Sequence, residues 1–199
     1  MSNRTMRRSW IGMGLACFFL GPISAHAHLV QTGFGTFYDG VAHVFLTPAD
    51  LLLVVGLALL AGSSGPAAAR SMLFALPSAW FIGALAGSAI PIGNSFQSLT
   101  TFSFGLAGVL VALNVKLPRT WLIGLAEVSG LIHGFANDAP KDWLCSAGAT
   151  TAIFTLITLL AALVVSLRAY WARITVRVAG SWIAATGLLM LGWLARGKG

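Results

Sequence analysis

Charge is scarce in this sequence, and negative charge is scarcest. Of 199 residues 9% are charged, with five Asp and Glu against twelve Lys and Arg, a formal net charge of +7. A soluble domain averages about 25% charged residues. With 57% of residues apolar and a mean hydropathy of +0.86, too little polar surface remains to coat a water-soluble globule. The chain therefore reads as a membrane protein. A pI near 10.5 elsewhere suggests nucleic acid, but that requires bases clustered on a solvated face. Here they are scattered between apolar runs, so nucleic acid is set aside. No stretch is polar enough for a separate soluble domain, and one compact all-α transmembrane bundle is expected. Cysteine is nearly absent: Cys17 and Cys145 are the two. There is no ATP-binding loop, so any transport would be facilitated or gradient-driven.

What is present begins with an N-terminal targeting pattern. Arg4, Arg7 and Arg8 precede an apolar stretch from Trp10 to Leu20, then Pro22 and the small-residue pattern Ala25-His26-Ala27. A basic segment, a short apolar segment and an A-x-A site are the parts of a cleavable secretory signal. A signal peptide over 1–27 and a single transmembrane domain over 28–199 are expected, with His28 first in the mature chain. A retained helix is the alternative, but the apolar stretch is short and Pro22 interrupts it. Cleavage removes Cys17 and leaves Cys145 alone, which excludes an intrachain disulfide and a cysteine metal cluster. Cys145 then reads as a small buried side chain.

Six spans follow, over about 48–62, 71–90, 99–115, 119–136, 143–167 and 174–195, with Pro77 expected to kink the second. Turn signals at 62–66, 91–94 and 116–118 separate them. The first is short, so the apolar segment 34–46 is expected to form an interfacial or re-entrant helix, broken from the span at Thr47-Pro48. A cleaved signal places the mature N-terminus outside. The inner loops then carry Arg70, Lys116, Arg119, Arg168, Arg173 and Arg177, whereas the outer loops carry only Lys141 and the tail carries Arg196 and Lys198. This is the positive-inside pattern.

Ionisable groups near membrane depth are functional candidates by default. Asp39, His43 and Asp50 cluster before and at the start of the first span. Glu127, Ser129, His133, Asn137 and Asp138 cluster along the fourth, with Ser129, His133 and Asn137 recurring every four residues on one helix face. The topology brings His43, Asp50, His133 and Asn137 to one face of the membrane, and His28 adds an imidazole and an α-amino group. Plainer readings stand beside this one. Thr47-Pro48-Ala49-Asp50 suits a helix N-terminus, with Thr47 as N-cap and Pro48 first in the helix. His43 suits a satisfied core residue, and Ser129 and Asn137 suit hydrogen bonds between helices, with Gly130 and Gly134 allowing close approach. A Ser129–His133 hydrolase is disfavoured, because residues four apart on one helix rarely aim a base at a nucleophile. Imidazole with carboxylate suits Ni²⁺, Co²⁺, Zn²⁺ or Cu²⁺ better than Mg²⁺ or Ca²⁺.

The segment Gly40-Val41-Ala42-His43 through Asp50-Leu51-Leu52-Leu53-Val54-Val55-Gly56 resembles the first motif of the HupE/UreJ family, roughly G-x-x-H-x-x-x-G-x-D-H-L-L-x-x-x-G. His133-Gly134-Phe135-Ala136, after Glu127, resembles its second, H-G-x-A. The resemblance covers nearly the whole chain. It implies a nickel or cobalt permease of the bacterial cytoplasmic membrane, or an accessory membrane protein for a metalloenzyme such as hydrogenase or urease. On that reading His28, His43, Asp50 and His133 are the metal ligands. Asp39, Glu127, Ser129, Asn137 and Asp138 are pathway or supporting residues, with Glu127 a waypoint deeper in the bundle. The chain has Ala49 and Asp50 where the family has Asp-His, and Asn137 where a second histidine is common.

Overall fold

The computed structural model describes residues 32–89, 96–137 and 142–196. The expected signal peptide, His28, the turn at 91–94, Asp138, Lys141 and Lys198 lie outside the described residues. Among the described residues the chain forms seven helices and no strand: α1 Thr36–Leu46, α2 Pro48–Ser64, α3 Pro66–Ala89, α4 Gln97–Ala112, α5 Arg119–Phe135, α6 Trp143–Ser166 and α7 Tyr170–Arg196.

The breaks follow local chemistry. A residue before proline is pushed out of the helical region, and Thr47 is extended at φ −97°, ψ 103°. There α1 and α2 meet at a bend of 75°, so the helix expected over 34–46 and its break at Thr47-Pro48 are both present. Gly65 at φ 109°, a region that favours glycine, ends α2, and Pro66 opens α3. The alanine-rich run after Pro66 is helical, so α3 starts before the expected residue 71 and its first turns contain Arg70. It continues through Pro77. Similarly, α7 begins at Tyr170 rather than 174, and Arg173 and Arg177 are helical.

Among the described residues three helices, α3, α6 and α7, are long and apolar enough to cross a membrane. A fourth span is possible if α1 and α2 count together. At 16 residues α4 is apolar but short, and α5 has 17.

α2 is the central element. It touches all six other helices, and residues 53, 54 and 56–62 are buried, as expected of a helix that is apolar all round. Three pairs surround it: α3 with α5, α4 with α7, and α1 with α6. Lipid tails supply no hydrophobic drive between helices, so contact depends on small residues that let backbones approach. A Cβ on Gly134 would strike the Trp80 carbonyl of α3. One on Gly40 would strike the Cys145 carbonyl of α6, and one on Gly148 the Phe37 carbonyl of α1. Cys145 is buried in that contact.

Chain direction alternates from α2 to α7, which separates two ends. One gathers Gly65, the 113–118 loop and the α6–α7 connection around a cavity of about 360 Å³ lined in part by Lys116 and Arg173. Here Arg177 Nε donates to the Ala112 carbonyl at 3.0 Å, one of the acceptors left free by the last turn of α4. The opposite end holds the α1–α2 bend and the histidines.

Candidate functional site

At the histidine end, the α1–α2 bend meets the first turns of α4, the last turn of α5 and Met190 of α7. They enclose a cavity of about 290 Å³ lined by His43, Thr47, Asp50, Gln97, Thr100, Thr101, His133 and Asn137, among others. The bend turns Asp50, in the first turn of α2, back toward α1. Thr47 caps α2 through its backbone, its carbonyl accepting from Asp50 N and Leu51 N at 3.1 Å each. Its side chain makes no cap hydrogen bond. The hydroxyl instead lies 3.3 Å from His43 Nε2.

Asp50 is the hub. Its Oδ1 is 2.8 Å from His133 Nδ1, and its Oδ2 is 3.6 Å from His43 Nε2. His133 Nε2 is 2.7 Å from Ser103 Oγ, and that hydroxyl also lies 2.8 Å from the Thr100 carbonyl. His133 Nδ1–H donates to the Asp50 carboxylate; at Nε2 the single Ser103 proton either goes to the ring or, when donated to the Thr100 carbonyl, leaves Ser103 Oγ to accept from Nε2–H. All four side chains are buried, His133 to within 1%. The Trp80 ring packs against His133 at 5.5 Å, and its buried Nε1–H has no partner among the described residues. Gly134 explains how His133 reaches this position. The helix face beside the histidine must lie directly on the α3 backbone at Trp80.

Ser103, His133 and Asp50 are spaced like a nucleophile, base and orienting acid. Ser103, however, is not among the residues bordering the cavity, so a substrate held there does not meet its oxygen. The chain of hydrogen bonds fixes the ring of His133 and, through it, one oxygen of Asp50.

The structure thus brings together His43, Asp50, His133 and Asn137. Asp39 is buried in α1 but faces elsewhere, its Oδ1 accepting from Thr32 N at 2.6 Å and Thr32 Oγ1 at 2.7 Å. Ser129 is buried on α5 and does not line the cavity. Glu127 is exposed and borders a groove with Arg70 and Arg119. It therefore points outward rather than into the bundle as expected, because the α5 face that packs on α3 carries Gly130 and Gly134. Among the described residues no group of three or more His, Cys, Asp or Glu is arranged to hold a metal ion.

Sequence reasoning passed over α4. Gln97, Thr100, Thr101 and Ser103 open an otherwise apolar helix, three and four residues apart. That spacing puts polar groups on one face and was the available signal.

The family model described as HupE / UreJ protein matches residues 15–190. No curated protein and no solved structure matches the chain significantly.

Proposed function

Because the chain belongs to the HupE/UreJ family, we propose that it carries a divalent first-row cation across the bacterial cytoplasmic membrane. Nickel or cobalt is the cargo, and copper or zinc suits the same donor types. The observation that carries this reading is Asp50 held between His43 and His133 on a cavity at the end of the bundle opposite Lys116 and Arg173.

The positive-inside rule puts the end with Lys116 and Arg173 in the cytoplasm and the histidine cavity outside, where a cation arrives. Six spans fit this orientation, with α1 and α2 entering as one broken element. α4 and α5 are about 24 and 26 Å long and lie along α7 and α3, which are long enough to span. A broken helix at depth is a recurrent setting for ion sites in transporters.

His43 Nε2 and Asp50 Oδ2 are the first donors. His133 holds Asp50 in place and reaches the ion by exchanging one of its two hydrogen bonds for it. Removal of the signal brings the imidazole and α-amino group of His28 to the same side as a further donor. Asn137, Gln97 and Thr100 supply neutral oxygens around the cavity.

A second reading is a non-transporting subunit that binds metal or assists a metalloenzyme. It is favoured by the engagement of both His133 nitrogens and by the lack of a ready three-residue metal cage among the described residues. Accumulation of nickel and cobalt in cells expressing the wild type, His43→Ala or Asp50→Asn separates the two. Transport predicts uptake in the wild type and its loss in both variants. Equal accumulation in all three, with a metalloenzyme co-purifying, supports the assembly reading.

A further inference from the structure

Glu127 is left unused by the histidine-end site. α5 runs beside α3 in the same direction, with Gly130 on Leu76 and Gly134 on Trp80. That register sets Glu127 level with residue 73, about 11 Å from the Pro66 end of α3, which is a candidate span. Yet Glu127 is exposed. The ion pairs among the described residues are those of Asp50 with the two histidines. A carboxylate turned to lipid at that depth is costly, and such groups almost always have a partner.

The surroundings indicate which partner. Glu127 shares a groove of about 600 Å³ between α3 and α5 with Arg70, Arg119, Ser71 and Ser78. The glycine contacts that pin these helices, at Gly130 and Gly134, lie further along. Next to it the outer surface of α5 itself has a shallow depression bordered by Trp121, Gly124 and Val128. α5 therefore stands as a ridge beside the charged groove, with a notch at Gly124 where nothing lies within 4 Å of a Cβ position. One face carries an acid, two bases, a ridge and a groove. It is complementary to itself in charge and shape, as a two-fold interface requires.

We propose that a second copy of this chain covers this face, with α5 crossing α5 at Gly124 and each Glu127 meeting Arg70 and Arg119 of the other copy. A small residue at the crossing is the usual feature of close helix pairs in membranes. An anionic headgroup would satisfy the arginines and leave Glu127 in lipid, and an apolar helix would leave all three charges unmatched. This inference stands apart from the cation reading.

The test is subunit counting of the full chain in liposomes over a range of protein densities, with native mass measurement from lipid nanodiscs. The wild type is expected to be a dimer. Glu127→Arg alone, and Arg70→Glu with Arg119→Glu, should each weaken it by about a hundredfold, because like charges then face each other. Mixing the two variants should restore dimers, which misfolded proteins would not do. Gly124→Cys, with Cys17 and Cys145 replaced by serine, should cross-link to itself on oxidation. A wild type that stays monomeric, with or without bound lipid, overturns the proposal. So does a different protein on this face, dimerisation unaffected by either charge reversal, or failure of Gly124→Cys to cross-link.

Discussion

Asp50 and His133 are 83 residues apart in the chain and 2.8 Å apart in the structure, buried together beneath a cavity at the histidine end. The pair joins α2 to α5, and the second carboxylate oxygen turns toward His43. Charge and hydrogen bonding at Asp50 can be separated. Asp50→Asn keeps an oxygen to accept from His133 but loses the charge that attracts a cation, so stability should change little while uptake is lost. Asp50→Leu leaves the His133 N–H buried without a partner and should also destabilise by about 1–3 kcal/mol. Thermal unfolding in detergent alongside uptake distinguishes the two variants.

Ser103→Ala removes the group facing His133 Nε2. A loss of about 1 kcal/mol is expected for one hydrogen bond, together with a change in the ¹⁵N shifts of the His133 ring. Ser103→Thr, which keeps the hydroxyl, should restore both. Unchanged ring shifts in the alanine variant would remove Ser103 from this role.

Gly134→Ala drives a methyl group into the Trp80 carbonyl. Backbone cannot give as a flexible side chain does, so α5 must move off α3, and a loss on the order of 1–3 kcal/mol is expected from such overpacking. Gly192→Ala meets nothing within 4 Å and should be neutral or slightly stabilising, since alanine is the better helix former. Equal stability of the two variants would contradict the packing described here.

Much of this was legible in the sequence where the cause was local. Pro48 forces Thr47 out of the helix whatever surrounds it, so the α1–α2 break could be read directly. Alternation of spans was enough to bring His43, Asp50 and His133 to one end, because it depends only on counting crossings. Facing was harder. In a soluble helix polar residues mark the outside, but α5 is apolar on most sides, and periodicity alone did not show that Glu127 turns outward. Ser103 was missed because its partner lies on another helix: its spacing from Gln97 and Thr100 marks a polar face of α4 but does not say which helix that face meets. At Thr47 the expected side-chain cap is replaced by a contact with His43, only four residues back in the chain, a competition between two local partners of one hydroxyl.

Pro48→Ala restores a backbone donor and removes the constraint on Thr47. The bend at Thr47 should relax toward a continuous helix and carry His43 away from Asp50. Cysteine or spin-label distances between α1 and α2 should lengthen, with uptake reduced and the rest of the bundle intact. An unchanged distance would show that packing of α1 on α6, rather than the proline, holds the bend.

The central claim is that His43 and Asp50 capture a cation that then crosses the membrane. Flux of nickel or cobalt into liposomes containing only the purified chain tests it most directly. The account predicts uptake by the wild type that His43→Ala and Asp50→Asn each reduce by tenfold or more, about 1.4 kcal/mol of lost binding or barrier lowering. Absence of flux by folded wild type, or equal flux in all three proteins, would contradict it.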